Sequence, residues 1–157
     1  LAHIAGILGT LSPIDHYDVP TWCKVLHVNL TAAFLVTRTL LPLLRRSADA
    51  SIVFTSSGVA RRGRAYWGAY SVSKFGTEGL MQVLAHESEN TQIRVNSLNP
   101  GPVKTAMRLE AFPAEDRSRL VEPAAVTPPY LFLLGPDSRG INGMTFDCQP
   151  PQPPAQA

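Results

Sequence analysis

The chain is poor in cysteine. Cys23 and Cys148, alone among 157 residues, are too few and too far apart for a disulfide framework and lack the spacing of a zinc site. A reducing, cytoplasmic setting without a metal centre is expected. Charge is scarce as well: Asp, Glu, Lys and Arg make up 17% of the chain, below the ~25% usual for globular domains. The formal net charge is only +2, which argues against affinity for nucleic acid or an anionic membrane. No apolar run approaches the ~20 residues of a membrane span, and the start lacks the basic segment of a signal peptide. A soluble chain is expected, and its opening with Leu1 rather than Met suggests a missing N-terminus. There is no internal repeat and no sign of a second domain. What is plentiful is the hydrophobic class, 45% of residues. Together with the low charge it points to a globular body with much of its surface covered by core or by a partner.

Taken in order, residues 1–6 read as the tail of a buried strand, and residues 6–18 as a loop. Asp18 and Pro20 suit an N-cap and a first-turn proline. Residues 21–46 are then helical in pattern and apolar nearly all round, so that helix must be covered on two sides. Pro42 should bend or weaken its last turns. Residues 50–56 form a short β-branched and aromatic run, the pattern of a buried parallel strand. A helix follows at about 69–89, with small Ala69, Gly76 and Gly79 among its apolar positions. A strand at 92–98 stops at Asn99-Pro100-Gly101. Residues 106–120 include a short helix, 121–134 read as a proline-interrupted helix, 143–148 as a last strand, and 149–157 as a proline-rich tail without apolar period. This alternation is the grammar of an α/β fold, a doubly wound parallel sheet of about four strands with flanking helices. Ligands in such sheets bind at the carboxyl ends of the strands.

The chemistry converges on Tyr70-x-x-x-Lys74 at a helix start. Four residues apart, the two side chains share one helix face, and a nearby ammonium favours phenolate. That would bring Tyr70 toward general acid/base work at neutral pH. Taken alone the spacing is weak, since any amphipathic helix carries a solvated Tyr and Lys. Its surroundings change the odds. Ser57 stands thirteen residues upstream at a strand end, Asn29 forty-one upstream, and Asn-Pro-Gly-Pro-Val-Lys-Thr follows at 99–105. Near the site, Arg61, Arg62 and Arg64 form the local basic cluster, a solvated loop or a bias toward acidic substrates.

In this order and spacing the sequence resembles the short-chain dehydrogenase/reductase family over residues 3–149. Stretches such as Phe-Thr-Ser-Ser, Trp-Gly-Ala-Tyr and Gly-Met-Thr-Phe-Asp look most like its YciK-like bacterial oxidoreductases. The resemblance implies a Rossmann-like fold and hydride transfer between NAD or NADP and a carbonyl or alcohol. It implies Tyr70 as acid/base, Lys74 lowering its pKa and holding the nicotinamide ribose, and Ser57 orienting the reacting oxygen. Asn29 would distort its helix, its main chain holding a water of a proton relay. Ala5, Gly6, Pro100, Gly101, Val103 and Thr105 would join Tyr70 and Lys74 around the cofactor. Trp67 and Met107 are the candidate substrate contacts, with Tyr66 and Phe112 beside them. His3 reads as packing. Ile4 departs from the pattern, standing where the family usually has asparagine.

The helices at 21–46 and 69–89 would build a homodimer or homotetramer by the same resemblance. No Gly-rich phosphate turn follows a first strand, and no selecting residue for NAD or NADP follows it. Residues 1–148 therefore resemble the catalytic half of one domain, without roughly its first three strands. A non-catalytic, dimer-forming interaction module is the alternative. An extended epimerase or dehydratase also uses Tyr-x-x-x-Lys, but with a large C-terminal substrate domain.

Overall fold

The computed structural model describes residues 1–150. The proline-rich tail expected at 149–157 therefore lies, from 151 onward, outside the described residues. Four parallel strands, β1 (Ala2–His3), β2 (Ala50–Thr55), β3 (Ile93–Asn99) and β4 (Thr145–Asp147), stand side by side in sequence order. Each crossover carries helix, which is why strands separated by a helix return in the same direction. The expected α/β sheet is the observed one.

Period-two alternation sorts the two central strands between two layers. On one face, Ile52 and Phe54 of β2 and Ile93 and Val95 of β3 pack with Ala33, Met81, Leu84 and Ala85 from the helices α2 (Ala32–Leu44) and α3 (Gly68–Glu87). On the other, Val53 and Leu98 meet Leu133 of α4 (Thr127–Leu134), a helix entered through a 3₁₀ turn at Pro123–Val126. Polar strand residues on that second face find partners in the same helix. Ser51 Oγ donates to the Leu133 carbonyl at 2.6 Å, and the Thr55 and Tyr130 hydroxyls lie 2.9 Å apart. Each bond replaces water for a group that would otherwise be costly to bury.

The helix expected at 21–46 is three pieces on one axis: α1 (Val19–Leu26), a π turn (His27–Thr31) and α2. Asp18 caps it by accepting from the Thr21 backbone N–H at 2.8 Å, and Pro42 lies inside α2 without ending it. Continuous from Val19 to Leu44, its 26 residues are long and apolar enough to cross a membrane by length and composition, contrary to the sequence expectation. In the fold, Val25, Asn29, Ala33 and Thr37 turn inward at four-residue intervals as the core stripe of a sheet-covering helix. Its outer stripe stays apolar and uncovered.

Helix α3 approaches the π turn so closely that a Cβ on Gly76 would stand 2.6 Å from the Leu30 side chain. Gly79 meets nothing, so close helix contact is the reason for a small residue at only one of those two positions. The segment expected at 106–120 is α-helical over Ala106–Ala111 and has a 3₁₀ turn at Arg117–Arg119, and β1 holds only two residues.

Candidate active site

At the carboxyl end of β2 the chain runs through Ser56 and extended Ser57 into a 3₁₀ turn, Gly58–Ala60, and returns at Gly68 to begin α3. This path brings a strand end and a helix start to the same space. Ser57 comes from the first, Tyr70 and Lys74 from successive turns of the second. They line a cavity of about 350 Å³. Its opposite wall is the turn after β3, with Pro100, Gly101, Val103 and Thr105; Met107 and Phe112 close it from above, and Gly6 stands at the rim. Trp67 also lines it, its indole edge-on to the Tyr70 ring at 5.8 Å.

Lys74 is buried, and its ammonium donates to the Thr55 carbonyl at 2.7 Å, 5.7 Å from the centre of the Tyr70 ring. Burial pushes its pKa down to about 8, against the pull of the Glu78 carboxylate one turn further on. Burial also raises the Tyr70 phenol above its ordinary value, while the Ser57 hydroxyl acts in the opposite direction. The expectation that Lys74 brings Tyr70 down is thus corrected. In this desolvated site, creating phenolate costs more than the Ser57 hydroxyl returns. At neutral pH the phenol keeps its proton.

Asn29 lies in the π turn and is buried. Its side chain accepts from the Ile7 N–H at 2.8 Å and donates to the Ile7 carbonyl at 2.9 Å and to Ser73 Oγ at 3.0 Å. The expected distortion is present, a π turn of the kind that recurs at functional sites. The side chain has an unexpected task, clamping the loop after β1 to α3. Gly6 serves the clamp, since a Cβ there would press on Asn29 Oδ1 at 3.3 Å. Asn29 does not line the Tyr70 cavity. It borders an adjoining groove of about 230 Å³, with Ala5 and Thr77; Lys74 borders both spaces. Ala5, expected at the cofactor, lines this second groove.

One further expectation changes, and one residue of the cavity wall has a second task. The Tyr66 side chain is 60% exposed and lines neither space. Thr105 caps the short helix Ala106–Ala111, accepting from the Arg108 N–H at 3.1 Å. His3 packs as expected, stacked on Phe54 at 4.7 Å with Nε2 2.8 Å from the Thr37 hydroxyl. Sequence reasoning missed three supports of the site: the Thr55 carbonyl, Ser73 and Gln149. Gln149 Nε2 donates at 2.8 Å to both the Pro100 and Pro102 carbonyls, holding the turn that forms the far wall. Serine inside a helix was a readable signal for Ser73, since it is a poor helix former. A backbone carbonyl leaves no such trace.

A family model, short chain dehydrogenase, matches residues 1–116. The chain belongs to that family. It is 53% identical over 152 residues to the uncharacterized oxidoreductase YciK of Escherichia coli K12, covering 97% of this chain and 60% of YciK. A short chain dehydrogenase structure from Salmonella enterica serovar Typhi CT18 superposes with a TM-score of 0.92 at 54% identity, covering 95% of this chain and 61% of that one. One from Escherichia coli CFT073, solved with NADPH, gives 0.91 at 54% identity, covering 95% and 62%. The chain thus spans about 60% of the length of the curated relative YciK. On this short-chain dehydrogenase scaffold, the expected serine, tyrosine and lysine stand together at the carboxyl edge of the sheet, and the expected asparagine adjoins them through Lys74.

Proposed function

We propose that the site serves hydride transfer between NAD or NADP and a carbonyl or alcohol. The observation that carries this reading is the convergence of Ser57, Tyr70 and Lys74 on one cavity whose far wall is the Pro100–Gly101 turn. The residues present fit the nicotinamide end of such a cofactor. Lys74 spends one of its three donors on the Thr55 carbonyl and keeps two for ribose hydroxyls, while Gly6, Pro100, Gly101 and Val103 leave an open, largely apolar slot. The bound cofactor supplies or accepts the hydride. Ser57 donates to the reacting oxygen and orients it. The Tyr70 phenol, protonated at neutral pH, gives its proton to that oxygen as a carbonyl is reduced. The Lys74 ammonium stabilises the phenolate that remains. Asn29 steadies this corner through Ser73, and its main chain would hold a relay water in the groove it shares with Lys74.

Residues 1–148 act in this reading as the catalytic half of one domain, in a soluble cytoplasmic protein. The outer faces of α2 and α3 join it to a second copy. Phe34, Leu35, Val36, Val72, Phe75 and Val83 are each more than 40% exposed there, a large apolar allowance for free surface. The same faces favour the alternative, a non-catalytic module that only pairs.

Calorimetric titration of the chain with both reduced cofactors, beside assays of carbonyl reduction, separates the two readings. Pyrophosphate binding in such folds relies on a Gly-rich turn at a helix start, which these residues do not include. The chain by itself is expected to bind weakly and turn nothing over. Joined to a dinucleotide-binding segment, it is expected to reduce carbonyls with at least one cofactor. No reduction in any such protein would sink the enzymatic reading.

A further inference from the structure

We infer that the cavity mouth is built to receive a carboxylate, so that the favoured substrates are oxo or hydroxy acids whose acid group lies a planar, apolar body away from the reacting carbon. This rests on the reading that a carbonyl or alcohol is handled beside Tyr70. Of the three clustered arginines, Arg64 alone lines the cavity. Its guanidinium carbon lies 5.7 Å from the centre of the Trp67 ring and 5.1 Å from that of Phe112, within the range of cation–π attraction. Trp67 and Phe112 in turn face one another at 5.6 Å. The indole that borders Tyr70 therefore also borders Arg64.

The charges nearby single Arg64 out. Arg108 packs on the other contact of Phe112, 3.9 Å from its ring centre, but gives its fork to Glu115, with Nε donating at 2.6 Å. Arg61 pairs with Asp147 at 2.7 Å. Among the described residues no carboxylate lies within ion-pair distance of Arg64. A guanidinium held by two rings, with its hydrogen-bonding edge uncommitted, matches a planar carboxylate in the two-pronged geometry arginine favours. Between Arg64 and Tyr70 the cavity offers aromatic wall, from Trp67; its other lining cations are Lys74 and the Glu115-paired Arg108.

The direct test titrates the 157-residue chain calorimetrically with 4-acetylbenzoate and with 4-acetylbenzamide, rigid ketones of one shape that differ in charge. The acid is expected to bind roughly tenfold more tightly, the scale of one charge-assisted contact. Arg64→Met should reduce that preference to below twofold, whereas Arg62→Met, on the same loop but outside the cavity, should keep it. Circular dichroism checks that both variants fold. Equal affinity for the two ketones, binding of neither, or a preference that survives Arg64→Met would each overturn the inference. Because no turnover is read, the outcome separates from that of the hydride-transfer reading. A preference lost in Arg64→Met would leave the carboxylate site standing even if the chain joined to a dinucleotide-binding segment reduced no carbonyl.

Discussion

Helix α3 is unusual on both faces: its inner side adds buried polar groups to the core residues Met81, Leu84 and Ala85, and its outer side is apolar. Inward it presents Ser73, Lys74, Thr77 and Glu78, all buried; outward it presents Val72, Phe75 and Val83, all between 45% and 57% exposed. Four of the buried polar groups on that inner face have named partners, while the buried Ser71 hydroxyl on the same helix has none. Lys74 meets the Thr55 carbonyl, Ser73 the Asn29 amide, Thr77 the Ser73 carbonyl, and Glu78 accepts from the Ser97 and Thr145 hydroxyls at 2.9 Å. Burying such groups costs free energy even when they are paired. The inner face carries Lys74 of the proposed site, and the outer face is the one proposed to pair with a second copy. Apolar residues placed outward weaken no fold, and they are released from duty as core by the sheet's own side chains.

The inner face breaks most sharply at Tyr70. Tyr70→Phe, in a protein joining this chain to a dinucleotide-binding segment, should lower carbonyl reduction roughly 10² to 10⁴-fold. Cofactor affinity should stay within a fewfold, since little contact area is lost. Wild-type turnover in that variant would take Tyr70 out of the mechanism.

Lys74 gives the next largest effect, through pH. Its folded pKa of about 8 lies below the ordinary 10.5, so between those values the unfolded chain holds a proton that the folded chain has released. Stability should therefore rise with pH across this window, by roughly 3 kcal/mol if Lys74 acts alone. The raised phenols of Tyr70 and Tyr130 oppose the rise near its upper end, because there the unfolded chain ionises first. Urea unfolding from pH 7.5 to 10 measures the slope. Lys74→Met should flatten it, and an equal slope in that variant would assign the effect elsewhere.

Asn29→Ala tests the clamp that supports the inner face. It strands the Ile7 N–H and carbonyl, and about 2 kcal/mol of stability should go with them, along with hydrogen-exchange protection at Ile7. A loss below 0.5 kcal/mol, on the order of a surface substitution, would show the clamp to be idle. The outer face should answer in the reverse sense. Val83→Glu should change stability by less than about 1 kcal/mol yet weaken self-association in light scattering. An unmutated chain that stays monomeric at micromolar concentration would remove the pairing face altogether.

Much of this was legible in the residues themselves. The βαβ alternation, the buried runs at β2 and β3, the Asp18 cap and the family pattern of Asn29, Ser57, Tyr70 and Lys74 all rest on local periodicity or fixed spacing. Such signals survive in one dimension, because a strand's period and a helix turn are set by neighbours a few residues away. What failed was whatever depends on surroundings. The direction of the Tyr70 shift followed from desolvation, which no spacing records. Gln149 looked like the start of a tail, but holds the Pro100–Pro102 turn from forty-seven residues away.

The sequence alone thus determined the order and type of the elements and which side chains are candidates for the chemistry, since backbone preference and hydrophobic period are properties of the local chain. Tertiary structure decided how those side chains are charged and what they touch. The protonated Tyr70, the Lys74 ammonium poised near 8, the Asn29 clamp and the uncommitted Arg64 all depend on water being excluded and on distant carbonyls and carboxylates being brought near. Those conditions exist only once the sheet, its helices and the returning loops have closed around one cavity.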